Sequence, residues 1–190
     1  MKLEKILSVS FVVGLVLRLL HWPGGSLLII LSLGLIAMSY FPFAVIFFRT
    51  PITKKQNVLF SVLSGFSFSF VPVGVMFKFQ YWLGANNYLS LGAFFSIIVL
   101  VIAIVLRKKI ESELALYYQN IIRRSIVLSL TAILLFLTPT ALLIKINYWN
   151  DPQLAKLKQQ HYLNPGNEEY KMQHDKYIMN RDSIENMQKP

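Results

Sequence analysis

The sequence predicts an all-α, polytopic membrane protein: two repeated transmembrane helical hairpins, a fifth span and a polar helical C-terminal tail. Three observations lead there. Hydrophobic residues make up 55% of the 190, and the mean hydropathy is +0.51, a balance unusual for a soluble domain. Several apolar runs reach the roughly 20 residues that cross a bilayer core. The runs do not alternate in polarity, except locally at Phe66-Ser67-Phe68-Ser69-Phe70. Helices, not barrel strands, must therefore satisfy their backbones in lipid.

The first span is Ile6–Trp22, short, with Arg18 able to snorkel outward. Pro23-Gly24-Gly25 is too tight for anything but a hairpin turn into the second span, Leu27–Phe48. The third span, Val58–Phe77, joins the fourth, Tyr88–Leu106, through an equally short turn at Leu83–Asn87. The fifth span is Ser125–Ile144. Between spans four and five, Ile110, Leu114, Tyr117 and Ile121 fall on one helical face flanked by basic residues. They predict a helix on the membrane surface, or span four continuing beyond it. The organisation is thus 1–56 first hairpin, 57–106 second hairpin, 107–124 amphipathic cytoplasmic connector, 125–149 fifth span and 150–190 tail. In the tail, Asp151-Pro152 is a helix start, with Asp as cap and Pro at the first position. Asn164-Pro165-Gly166 breaks that helix, and Asn167 with Glu168 and Glu169 starts another.

The formal net charge of +10 suggests nucleic acid only until it is mapped. The basic residues sit at the ends of apolar segments, where membrane topology accounts for them. Lys2, Lys5, Arg49, Lys54, Lys55, Arg107, Lys108, Lys109, Arg123 and Arg124 fall on one side. Arg18, Lys78, Lys145, Lys156 and Lys158 fall on the other. The excess places the N-terminus in the cytoplasm, and an odd number of spans places the tail in the periplasm. No small-residue cleavage site follows the first run, so no removable leader is expected.

Chemistry-bearing patterns are few. The chain has no Cys, hence no thiol nucleophile or thiolate metal site. His21, His161 and His174 lack metal-site spacing. No phosphate-binding Gly-rich loop occurs, and the serines of span three have no base beside them. An enzyme is not expected, nor a cofactor, a metal or a nucleic-acid partner.

One motif recurs three times. A base is followed four residues later by Trp, with an aromatic just before it: Arg18, His21, Trp22; Lys78, Tyr81, Trp82; Lys145, Tyr148, Trp149. A small residue stands four before the base, at Gly14, Gly74 and Ala141. Gly24 and Gly84 follow the first two copies, and Ser32–Gly34 and Ser90–Gly92 share a Ser-Leu-Gly with a two-residue difference in spacing. Such a motif suits the end of a span. The cation complements the helix dipole, Trp and Tyr prefer the headgroup layer, and Gly turns the chain. The bland reading is interfacial anchoring. The sharper one is a ring of base/aromatic pairs that contacts an anion.

The stretch RLLHWPGGSLLIILSLG (Arg18–Gly34) resembles the N-terminal membrane hairpin of the Bacteroidetes gliding-motility family GldL, whose first span ends in a similar basic-x-x-His-Trp-Pro-Gly string. The likeness covers about Gly14–Gly34, and Val73–Gly92 by way of the internal repeat. It does not reach the tail. In that family the hairpin is the membrane part of an ion-driven motor for gliding and type IX secretion, which is expected to rely on a carboxylate inside the membrane. Here Glu4, Glu111, Glu113, Asp151, Glu168, Glu169, Asp175, Asp182 and Glu185 all fall outside the predicted spans. The resemblance implies a hairpin architecture in a bacterial inner membrane, without an intramembrane carboxylate.

Two further faces are candidates. Ser61, Gly65 and Ser69 form a small-x-x-x-small face for helix packing, internal or between copies. Tyr170, Tyr177 and Ile184 recur every seven residues on the tail, with His174 and Met187 alongside. That stripe could dock a partner helix or lie on the protein's own surface. The expected function is a non-enzymatic inner-membrane scaffold or accessory subunit. Its partners would be the lipid bilayer and a membrane protein or a second copy. The alternative is a small transporter or channel, for which the spans offer only scattered Ser, Thr and Pro.

Overall fold

A computed structural model of the chain describes residues 2–48, 56–109 and 113–187. Among them there are nine helices and no strand. The chain divides into two compact units, Met1–Thr138 and Pro139–Pro190.

The first unit holds α1 (Lys2–Leu19), α2 (Gly25–Tyr40), α3 (Ala44–Phe47), α4 (Val58–Gln80), α5 (Ala85–Lys108) and α6 (Glu113–Leu137). Helices α1 and α2 form one hairpin and α4 and α5 another, while α4 also packs on α2, α3 and α6. Three segments are long and apolar enough to cross a membrane: α4, α5 and Leu114–Leu137 of α6. They mark a membrane protein. Helix α2 is apolar but shorter, and α1 carries Lys2, Glu4, Lys5 and Arg18.

Two expected spans are interrupted, for the same reason. The second ends at Tyr40, because Pro42 offers no N–H to continue the helix and Phe41 before it is extended (φ −146°, ψ 124°). The fifth stops at Leu137, and Thr140–Asn147 is a separate helix capped by the extended Pro139. The connector is also not a separate element: from Glu113 it runs unbroken into the apolar residues as α6. Nothing in Arg123-Arg124-Ser125 breaks a helix. Pro72, by contrast, stays inside α4, where α2, α5 and α6 surround it and their packing offsets the lost hydrogen bond.

Small residues let the helices approach closely, as packing in lipid requires. At Gly65 an added Cβ would collide with the Tyr40 carbonyl oxygen and the Ala44 side chain. Ser61 is fully buried and meets the Tyr117 hydroxyl of α6 at 2.6 Å, and that hydroxyl reaches the Asn57 carbonyl at 3.1 Å. Asn57 in turn caps α4, accepting from the Phe60 N–H. Phe68, Tyr118 and Ile121 complete this part of the core.

The second unit holds α7 (Thr140–Asn147), α8 (Pro152–Leu163) and α9 (Glu168–Met187). The tail starts as its residues predict. Asp151 accepts from the Leu154 N–H at 2.9 Å with Pro152 at the first helical position, and Asn167 accepts from the Glu169 N–H. Arg49, Lys54, Lys55, Ile110 and Glu111, which entered the charge and connector readings, lie outside the described residues.

Candidate functional site

The two hairpin turns have one backbone conformation. His21 and Tyr81 both adopt the left-handed region (φ 56° and 59°), as do Gly24 and Gly84 (φ 90° and 84°). The N–H of Trp22 reaches back to the Leu17 carbonyl and that of Trp82 to the Phe77 carbonyl, each at 2.9 Å. This is a Schellman closure, which satisfies carbonyls a helix end leaves open. The return helices match as well. Gly25, Ile29, Ser32, Leu33, Ile36 and Ser39 are buried on α2, and each residue sixty positions later, Ala85, Leu89, Gly92, Ala93, Ser96 and Val99, is buried on α5. On this sixty-residue spacing of buried positions Ser32 falls opposite Gly92, whereas the shared Ser-Leu-Gly string would set it opposite Ser90.

The turns also touch. Gln80 donates to the Ser26 carbonyl at 3.1 Å and accepts from the Arg18 guanidinium at 3.3 Å. Arg18 lies over the Tyr81 ring at 4.8 Å, a cation–π contact. The cation of one copy thus meets the aromatic of the next.

The three cations differ. Arg18 is half-buried and Lys145 exposed. Lys78 is 1% exposed, and its Nζ donates to Asn86 Oδ1 at 2.7 Å. A side chain so placed does not snorkel, and in this respect Lys78 departs from the interfacial anchor expected of it. The three tryptophans remain on the surface, Trp22 at 64%, Trp82 at 42% and Trp149 at 72% exposure. The third copy lacks the left-handed turn: Tyr148 has φ −113°. There Lys145, Tyr148, Trp149 and Lys156 line a groove of about 600 Å³, and Lys158 donates to the Tyr148 hydroxyl at 3.1 Å.

Ser61 and Gly65 face the interior, against α6 and against α2 and α3. Ser69 instead returns its hydroxyl to the Phe66 carbonyl of its own helix. On the tail, Tyr177 is occupied within its unit, donating to Asp151 Oδ1 at 3.1 Å, and Tyr170 is half-buried. The side chains of Ile184 and Met187 lie outside the described residues. His161 and His174 come together, with stacked rings 6.0 Å apart, and His174 Nδ1 lies 3.0 Å from Asp175.

A polar cluster that sequence reasoning missed joins α1, α2 and α6. Glu4 Oε2 meets the Arg124 guanidinium at 2.8 Å, and Glu4 Oε1 accepts from the Tyr40 hydroxyl at 2.6 Å. Arg124 also stacks over Phe47 and Phe48 at 4.9 and 5.1 Å. Tyr40 packs on Phe68, midway along α4, with rings 5.8 Å apart. The carboxylate is thus held by Tyr40 of α2 and by Arg124, which lies within the candidate span Leu114–Leu137. Glu4 itself lies in α1, outside the three candidate spans. The only early signal was that Glu4 opens an apolar run.

The cluster closes one end of a cleft of about 370 Å³ between α1, α2, α4 and α6. Asn120 and Arg123 share that end, and Phe11, Leu33, Val75 and Leu128 line the other. Among the described residues no group of three or more His, Asp or Glu is placed to hold a metal ion. The arrangement defines a helical membrane protein with a charged, one-ended cleft. Comparison with family models, with curated proteins and with solved structures finds no match.

Proposed function

We propose that the chain is a non-enzymatic scaffold or accessory subunit of a bacterial inner-membrane complex, built on two copies of one hairpin similar to that of the GldL family. The observation that carries this reading is the shared turn. Left-handed His21 and Tyr81, left-handed Gly24 and Gly84 and the constant sixty-residue register of buried positions support duplication of one unit. Gln80 and Arg18 brace the two units against each other at their turns, as suits a platform. The N-terminus is cytoplasmic and the tail periplasmic in this reading, on the Lys/Arg asymmetry.

Glu4 does not supply the ion relay of a motor. Both its oxygens are taken, one by Tyr40 and one by Arg124, which leaves little for an ion in transit. A transporter or channel would need a polar path through the bundle, and the charged residues of the cleft, Glu4, Arg123 and Arg124, all stand at one end.

The test is purification of the full chain in mild detergent, followed by native mass spectrometry and reconstitution into liposomes. A stoichiometric assembly with another membrane protein or with further copies, and no ion or solute flux, is the expected result. A lone chain that supports flux would overturn the proposal in favour of the transporter or channel.

A further inference from the structure

We propose that the cleft between α1, α2, α4 and α6 binds an anionic phospholipid, one acyl chain lying along its apolar walls and the phosphate meeting Arg123. Charge at the mouth comes first. Arg124 is compensated by Glu4 at 2.8 Å, so its charge is spent inside the protein. Arg123 lies next to it, lines the same cleft and is exposed, and no hydrogen bond or ion pair engages it among the described residues. Asn120, one turn earlier on α6, adds an amide donor. A guanidinium and an amide over a membrane-embedded groove suit a phosphate.

The length of the cleft fixes the rest of the occupant. Along α6 it runs from Asn120 to Thr131, about 16 Å at the helical rise. That is about half the roughly 30 Å hydrocarbon core, a length that takes one acyl chain. Charge changes along it in the order a lipid requires. Glu4, Asn120 and Arg123 stand at one end, and Phe11, Val75 and Leu128 at the other. Pro72 lines the wall in mid-course. A partner helix is a poorer fit, since it would have to place an anionic group at the charged end of a cleft of only about 370 Å³.

Native mass spectrometry of the detergent-purified full chain tests this, with phosphatidylglycerol and phosphatidylcholine as the added lipids. The parent should retain one phosphatidylglycerol in preference to phosphatidylcholine. Arg123→Gln, an exposed position where folding is not at stake, should lower that preference about tenfold, the size of a lost charge-assisted contact. Val127 lines the cleft yet is 62% exposed, so Val127→Trp can fill the slot without a core clash. It should lose both lipids while eluting as the parent does. An unchanged preference in Arg123→Gln, lipid retained by Val127→Trp, or a second copy of the chain displaced by added lipid would each overturn the proposal.

Discussion

Glu4 and Arg124 form an ion pair at 2.8 Å although 120 positions separate them in the chain. The pair ties the first turn of α1 to the middle of α6, and Tyr40 completes it from α2. It is half shielded, with side-chain exposures of 13% for Arg124 and 23% for Glu4. Removing one partner therefore leaves the other charge poorly solvated.

Glu4→Gln should destabilise the protein in detergent by about 1.5–3 kcal/mol, the range for a charge-assisted contact. Adding Arg124→Gln should cost less than the sum of the two single changes, because the orphaned charge disappears with it. Unfolding midpoints of the four proteins in a denaturing detergent series give the coupling, and strict additivity would mean that the two residues do not interact.

Gly65→Ala should cost about 1–3 kcal/mol by overpacking, since the new methyl meets the Tyr40 carbonyl and Ala44. Gly34→Ala, where nothing lies within contact, should be neutral or slightly stabilising. Equal effects on thermal stability would show that the close approach of α4 to α2 and α3 is absent.

The left-handed turns give a paired test. Tyr81→Asn should keep the turn, because Asn tolerates φ 59°. Tyr81→Val should cost about 1–2 kcal/mol in backbone strain. His21 should behave likewise, whereas Tyr148, at φ −113°, should show no such difference between Asn and Val. Melting curves of these six variants decide it.

Much of this was legible in the sequence. His21-Trp22 and Tyr81-Trp82, each with Gly at the second position after the Trp, marked two turns, and Asp151-Pro152 marked the start of α8. The breaks at Pro42 and Pro139 were hidden because each proline lies inside a long apolar run, and hydropathy does not register a lost N–H. Pro72, in a similar run, does not break its helix at all, so the residue alone could not decide. The burial of Lys78 was hidden for another reason. Its partner Asn86 is neutral, and a search for acids near the cations passes over it. The Glu4–Arg124 pair depends on the packing of α1 against distant helices, which no local pattern encodes.

Tyr177 links the tail to pH. Its hydroxyl is pushed above the ordinary tyrosine range by desolvation, then by its hydrogen bond to Asp151 and that carboxylate's charge, with Arg181 opposing. A raised value in the folded state means that the contact is fully present below about pH 10, the free tyrosine value. It is lost as pH rises through the higher folded value. Tyrosinate absorbance of the full chain, with Tyr177→Phe subtracted, should show this group titrating later than a free tyrosine. Titration at the ordinary value would mean that the hydroxyl is not held by Asp151.

The most direct test uses the absence of cysteine from the chain, which gives single-cysteine labelling no background. Pro23→Cys and Leu83→Cys stand in the two turns, and Gln56→Cys and Lys109→Cys stand at the opposite ends of the helices they flank. With a membrane-impermeant maleimide on intact cells, the two turn positions should label, and positions 56 and 109 should label only after the membrane is permeabilised. Labelling of the two turns from opposite sides would contradict the pair of like-oriented hairpins on which the proposed function rests.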